Sequence, residues 1–124
     1  MLEDKKGQFF VGKVKDFEKA KGWFFGYFME EDKLRSNLVE IAWQDISNKK
    51  PESEDKHFHK QSVEINIVLS GAVSLKINGQ KYSVSSGQFY VIYPHVTVED
   101  IEASENTRLM VVRAPSLGDD KFLA

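Results

Sequence analysis

Three side chains that could bind a metal ion lie close together in the middle of the chain. His57 and His59 are separated by one residue, and Glu64 follows in the segment HFHKQSVE. On a β-strand, residues i and i+2 leave the same face, so both imidazoles are expected on one side. Two imidazoles and one carboxylate suit iron, manganese, nickel or zinc. The segment therefore predicts a metal site formed by His57, His59 and Glu64, with one of these divalent ions as the cofactor.

The same segment has the spacing of a known family motif. His-x-His-x4-Glu-x6-Gly, which runs here from His57 to Gly71, resembles the first motif of the cupin family at every fixed position. The resemblance implies a small single-domain cupin, an all-β jelly-roll β-barrel whose motif-bearing core covers about residues 55–113 of the single domain 1–124. The resemblance is compatible with several classes of enzyme, namely dioxygenases, isomerases, epimerases and decarboxylases.

The second cupin motif, Gly-x5-Pro-x-Gly-x2-His, is only partly present. Gly87 keeps its opening glycine, but Tyr93 stands at the first proline, His95 at the second glycine and Val98 at the histidine. That histidine normally supplies the last metal ligand of the family. The resemblance therefore implies the fold more firmly than the metal.

Two nearby residues could replace the missing ligand. Strand alternation places Asp100 on the same face as Val98, so its carboxylate could bind the ion in a displaced position. His95 could project over the barrel mouth as a ligand or as a general acid or base, whereas the ordinary alternative is an exposed loop histidine. The sequence leaves the choice between Asp100 and His95 open.

Composition limits the class of protein. The chain has 124 residues, which suits one domain, and its 41% hydrophobic residues are normal for a globular protein. Its 17 basic residues are interspersed among 19 acidic ones, for a net charge of −2, which gives no electrostatic case for nucleic acid. The absence of cysteine excludes disulfides and thiolate sites, and no apolar stretch reaches membrane-span length. We expect a cytoplasmic protein with no membrane partner.

Short strands separated by turn residues account for most of the predicted structure. The segment 23–29 is a dense apolar run, residues 39–44 alternate, and the charged segment 48–56 is expected to be an exposed loop. An Asn78-Gly79 turn predicts a hairpin that pairs Ile77 with Gln80, as well as the residue pairs 75 with 82 and 73 with 84. Residues 89–93 and 107–113 are predicted as later strands, and no helix of ordinary length is predicted.

Polar and aromatic residues on inward faces are candidates for ligand binding. If Glu64 points into the barrel, alternation sends Asn66 inward as well, where it could contact a ligand or be a satisfied core amide. Tyr90 could line the same pocket, since tyrosine combines a rigid ring with a polar tip. The candidate ligand-binding residues are Asn66, Tyr90 and Asp100, and the candidate catalytic residues are His59, Tyr93 and His95.

These observations leave several functions open. The first is a small-molecule-binding cupin that is a metal-dependent enzyme, with a His57/His59/Glu64 site acting on a small oxygenated substrate. The alternatives are a metal-free ligand-binding module and a metal-independent sugar isomerase or epimerase, in which a histidine and a tyrosine serve as acid and base. No nucleotide cofactor is expected, because the sequence has no glycine-rich phosphate loop.

Assembly is predicted from apolar residues near the N-terminus. The first 24 residues include Phe9, Phe10, Val11, Trp23 and Phe24, more apolar surface than a lone small domain easily hides. We expect a twofold homodimer built partly from this segment.

Overall fold

Two five-stranded antiparallel sheets form the structure. The computed structural model describes residues 8–52 and 56–123. The first sheet has the strand order β1-β2-β9-β4-β7 and the second has β10-β3-β8-β5-β6. The ten strands are β1 (Trp23–Phe25), β2 (Glu40–Asp45), β3 (His57–His59), β4 (Val63–Ser70), β5 (Ala72–Ile77), β6 (Gln80–Ser85), β7 (Phe89–Ile92), β8 (Val98–Ala103), β9 (Arg108–Ala114) and β10 (Lys121–Leu123).

The core lies between the inner faces of the two sheets. Val68, Leu109 and Val111 of the first sheet are buried with Val73 and Leu75 of the second. Among the described residues, strands pair within each sheet and not between the sheets, so the barrel is a jelly-roll sandwich. The all-β prediction is confirmed.

The hairpin predicted around Asn78-Gly79 is confirmed in every pair. Ile77 lies opposite Gln80, and residues 75 and 82 and residues 73 and 84 are also partners. Asn78 and Gly79 have φ angles of 49° and 82°, as the two-residue turn requires. The register therefore follows from turn chemistry and alternation acting together.

The apolar run at 23–29 is shorter as a strand than its composition suggests. The strand ends at Phe25, and Gly26 has φ 153° and donates its N–H to the Leu34 carbonyl. Tyr27 and Phe28 then lie in the following turn and are partly exposed. Two short 3₁₀ helices, Val14–Ala20 and Asp32–Leu34, flank this region, and no described helix is long and apolar enough to span a membrane.

Parts of two sequence predictions lie outside the described residues. Residues 1–7 begin the N-terminal segment that is expected to form part of a homodimer, and residues 53–55 belong to the predicted loop 48–56. On either side of that gap, residues 48 and 50–52 are exposed, as is residue 56.

Gly71 closes the turn between β4 and β5 where no side chain fits. Its φ is +75°, and an added Cβ would overlap Thr107 Oγ1 and lie 2.7 Å from Thr107 Cα. Thr107 is fully buried and its hydroxyl donates to the Ser104 carbonyl. The Gly71 position therefore requires glycine for both backbone conformation and space.

We predict that Gly71→Ala lowers the free energy of unfolding by more than about 3 kcal/mol, because strain and overlap add. Gly79→Ala is the matched control: its φ is +82°, but nothing lies within 4 Å of the added Cβ, so it should cost only about 1 kcal/mol. Urea unfolding of both variants measures the difference. Equal losses would show that contact with Thr107 contributes nothing.

Candidate functional site

Strand β3 holds the two histidines side by side. The ring centroids of His57 and His59 are 5.5 Å apart with an interplanar angle of 85°. His57 is half-buried opposite Val98 of β8, whereas His59 is buried opposite Lys121 of β10. Both rings lie on one face of the strand, as their spacing predicts.

Glu64 comes from β4 of the other sheet and is held by an arginine. The Arg113 guanidinium donates from Nη2 at 2.6 Å and from Nε at 3.2 Å to Glu64 Oε1. The side-chain amide of Asn66 donates to Glu64 Oε2 at 3.0 Å. Both carboxylate oxygens therefore have hydrogen-bond donors, and Glu64, Asn66 and Val68 share the inward face that alternation predicts.

Arg113 also holds a second buried carboxylate. Its Nη1 donates to Glu40 Oε2 at 2.8 Å, and the Ser116 hydroxyl donates to Glu40 Oε1 at 2.8 Å. The guanidinium lies 5.0 Å from the centre of the Trp23 ring. One arginine thus bridges two carboxylates and stacks on an indole, an arrangement that fixes its position.

Burial and neighbouring charge set the protonation of this cluster. Burial alone would raise the pKa of Glu64, but the Arg113 charge and its hydrogen bonds hold that pKa below its ordinary value. Burial lowers the pKa of His59, and the Arg113 charge lowers it further, while Glu64 opposes the shift. The favoured state near neutral pH is an ionised Glu64 beside a neutral His59.

Asp120, in the C-terminal segment, holds the backbone that follows His59. Its carboxylate accepts the backbone N–H of Lys60 at 3.2 Å, of Gln61 at 2.9 Å and of Ser62 at 2.8 Å. Asp120 Oδ2 lies 3.8 Å from His59 Nδ1. Asp120 could not be identified from the sequence, because its partners are some 60 residues away and no local spacing rule connects them.

A cavity of about 380 Å³, the barrel cavity, lies beside this cluster. Its polar lining includes His57, Glu64, Asn66, Tyr90 and Arg113, and its apolar lining includes Trp23, Val98, Ile101, Leu109 and Val111. The volume is in the range of small-molecule sites. Burial raises the pKa of the Tyr90 phenol, and the Glu64 charge adds to the shift. Tyr90 is therefore a protonated donor at neutral pH.

A family model described as "Cupin domain" matches residues 47–112 of the chain. The chain belongs to the cupin family. Matching solved structures include a variant of Streptomyces PAC13 with uridine, which is 13% identical with a TM-score of 0.61 and covers 72% of this chain and 70% of that one. KdgF from a Halomonas species is 17% identical with a TM-score of 0.57 over 68% of this cupin and 74% of KdgF. No curated protein matches the sequence.

A cupin protein from Bacteroides fragilis has the same fold at 22% identity. Its TM-score is 0.54, with 68% of this chain and 70% of that chain covered. These likenesses confirm the predicted cupin jelly roll.

The residues present do not fit the metal that the family implies. His59 Nε2 lies 4.0 Å from Glu64 Oε1, the oxygen that Arg113 already holds with two N–H groups. A dication between His59 and Glu64 would therefore meet the guanidinium charge. Within residues 8–52 and 56–123, no group of three or more His, Cys, Asp or Glu side chains is arranged to hold an ion.

The predicted place of Asp100 is wrong. The register between β5 and β8 shifts, with Ser74 opposite Glu102 but Lys76 opposite Glu99, and Asp100 has φ 54°. This β-bulge breaks the alternation, so Ile101 lines the barrel cavity instead. The Asp100 carboxylate pairs with Lys76 Nζ at 3.2 Å, in a different cavity.

Two other predicted residues lie away from the site. His95 has φ 70°, is exposed, and its ring stacks on Phe58 at 6.1 Å. Phe58 projects from β3 between the two site histidines, so this stacking places His95 on the other side of the strand. Tyr93 is 62% exposed and is not in the barrel cavity lining. The structure thus places neither side chain with His57, His59 and Glu64.

We predict that Asp120→Asn destabilises this cupin by about 1–3 kcal/mol near neutral pH, because charged acceptors of backbone N–H groups are lost. Burial opposes ionisation of Asp120, but its hydrogen bonds with Ser62 and Gln61 hold its pKa below the ordinary value of an aspartate. The stability that this carboxylate contributes is present at pH values above that ordinary pKa and is lost as the pH falls through the folded-state pKa.

Urea unfolding across a pH series measures this effect. The difference in free energy of unfolding between wild type and Asp120→Asn should therefore disappear as the medium becomes strongly acidic. Asp119→Asn, a change at the exposed neighbour, is the control and should stay within about 0.5 kcal/mol of wild type. A gap that widened in acid would contradict the assignment.

Proposed function

We propose that this cupin binds a small polar organic molecule in the barrel cavity, and that it does so without a metal ion. The observation that carries the proposal is the pair of N–H groups that Arg113 directs to Glu64 Oε1 at 2.6 and 3.2 Å. Glu64 occupies the motif position whose side chain would otherwise bind the ion.

Charge supports the same conclusion. Arg113 is positive at every accessible pH, and it lies between two buried carboxylates, those of Glu40 and Glu64. Removing one partner of such a cluster leaves an uncompensated buried charge, so the arrangement is expected to persist. A ligand therefore meets a fixed, hydrogen-bonded wall rather than an exchangeable cation.

The lining of the barrel cavity indicates the chemistry of the ligand. Asn66, Tyr90 and His57 offer hydrogen-bonding groups, and Val98 and Ile101 are among the apolar residues of the same lining. A small molecule with several oxygen atoms and some apolar surface matches this mixed lining. Among the similar structures, variants of PAC13 are recorded with uridine, which supports a small polar ligand of this size class.

A second candidate function is metal-independent proton transfer, as in a sugar isomerase or epimerase. His57 and Tyr90 line the same cavity, which supplies one group suited to act as base and one suited to act as acid. The raised pKa of Tyr90 keeps its phenol protonated near neutral pH, so that it can donate a hydrogen bond to a ligand oxygen. Tyr93, a candidate catalytic residue from the sequence, is exposed, whereas Tyr90 lines the cavity.

We predict that calorimetric titration with manganese, iron(II), nickel and zinc finds no ion bound more tightly by wild type than by a His57→Ala, His59→Ala double variant. The reason is that Glu64 is already held by Arg113. A Glu40→Gln, Arg113→Met double variant, which removes one charge of each sign, should free Glu64 and bind zinc at least about tenfold more tightly than wild type. One equivalent of any ion bound by wild type but not by the histidine variant would refute the metal-free proposal.

We predict that a screen of sugars, hydroxy acids and nucleosides by two-dimensional NMR yields ligands that shift the amides of Asn66 and Tyr90. Ile101→Phe should weaken such a ligand about tenfold or more, because the larger side chain occupies the barrel cavity. Leu69→Phe, a change at an exposed position, is the matched control and should leave affinity unchanged. If the Ile101→Phe variant bound the ligand as tightly as wild type, the ligand would lie outside the barrel cavity.

The homodimer remains our proposal, with a revised contact surface. Phe9 and Val11 are 80% and 86% exposed, whereas Trp23 packs against Arg113 and Phe28 and is not free to form the interface. We predict that light scattering at micromolar concentration gives twice the mass of one chain for wild type. A Phe9→Ser, Val11→Ser variant should give the mass of one chain. A monomeric wild type would refute the dimer.

A further inference from the structure

A second cavity, of about 370 Å³, adjoins the barrel cavity where Trp23, Arg113 and Lys121 line both. We call it the aromatic cavity, because Trp23, Tyr27 and Phe28 line it together with His59. We propose that the aromatic cavity is a separate binding site for a planar ring that carries an anionic group.

The three aromatic side chains form a connected wall. Trp23 and Phe28 have ring centroids 5.9 Å apart at 77°, and Tyr27 and Phe28 have centroids 5.3 Å apart at 79°. Each pair meets edge to face, the geometry that aromatic rings prefer. Tyr27 and Phe28 are also partly exposed, so the wall can be reached from solvent. A further flat ring can extend this packing, which favours a planar ligand over a branched aliphatic one.

His59 supplies the observation that points to a bound molecule. It is 2% exposed, and neither ring nitrogen has a hydrogen-bond partner among the described residues. Its nearest acidic atoms, Glu64 Oε1 and Asp120 Oδ2, are 4.0 and 3.8 Å away, beyond hydrogen-bonding distance. A buried polar atom without a partner destabilises the protein. The two nitrogens face Glu64 and Asp120 and have no surface open to the cavity, so a ligand atom that bonded to His59 after its ring turned would relieve that penalty.

The charged side chains of the aromatic cavity indicate the charge of the ligand. Arg113 is outnumbered by Glu40, which also lines the aromatic cavity, and Glu64, so this cluster carries one net negative charge and the attraction for an anion comes from Lys121 alone. Lys121, on β10, is exposed and forms no ion pair with any residue in the described parts of the chain. An anionic group on the ligand can approach the Lys121 ammonium while the ring lies against the aromatic wall. The site does not depend on what occupies the barrel cavity, so the inference does not rest on the proposed function.

NMR titration of wild type with benzoate, benzamide and benzylamine tests the proposal, since the three probes share a ring and differ in charge. We expect benzoate to bind most tightly and to shift the signals of Tyr27, His59 and Lys121. Lys121→Gln should weaken benzoate about three- to tenfold and leave benzamide unchanged. Tyr27→Ala should weaken both, and Tyr90→Phe, a change in the barrel cavity, should weaken neither.

Three outcomes would overturn the site. They are no saturable binding of benzoate, binding of benzylamine at least as tight as that of benzoate, and shifts confined to Asn66 and Tyr90. The last outcome would move the probe to the barrel cavity and leave the proposed function intact. A ligand found in the barrel cavity together with no benzoate binding would refute the aromatic cavity alone.

Discussion

The ion cluster of Glu40, Arg113 and Glu64 is the constraint on which the site depends. The three residues stand directly opposite one another on β2, β9 and β4, the neighbouring strands at the centre of the first sheet. The guanidinium can reach both carboxylates because cross-strand partners lie within side-chain range. Loss of the arginine would leave two buried negative charges, at a cost of about 3–5 kcal/mol or more. The cluster is therefore both structural support and the polar wall of two cavities.

If Arg113 takes the place of the metal, as proposed, the cluster explains how a complete first cupin motif can coexist with a degenerate second one. Val98 stands opposite His57, so the side chain at the usual last ligand position is apolar. With that ligand replaced, a cation bound by His57, His59 and Glu64 would be held by fewer protein groups. A guanidinium is a cation that cannot dissociate from the chain, and Arg113 provides it from the adjacent strand. The metal-ligand spacing is thus retained while the positive charge beside Glu64 comes from within the protein.

The sequence predicted those features that depend on local pattern. The hairpin at Asn78-Gly79 was predicted in register because turn type and alternation both act over a few residues. The inward direction of Glu64 and Asn66 followed from the same alternation. Asp100 was placed wrongly, because a bulge in the middle of β8 moves one residue to the other face. The sign of the bulge in the sequence is the pair of consecutive polar residues between Val98 and Ile101, which breaks the alternation.

Contacts between distant segments could not be predicted from the sequence. Asp120 reaches the turn after β3, and Arg113 reaches Glu40 across 73 residues. Such contacts depend on strand order, which the resemblance to a family implies only in outline. The partners of Arg113 are two carboxylates of the protein itself, on the strands to either side. A charged residue on an inward face therefore shows that a partner exists without showing which one.

The most direct test of this account is NMR observation of the Arg113 Nε–H in the uncomplexed protein while manganese(II) is added. We expect a slowly exchanging signal, because this group donates to buried Glu64, and no selective broadening by the paramagnetic ion. Selective broadening of Arg113 together with His57 and His59 would place the ion among these residues. It would contradict the claim that the guanidinium takes the place of the metal.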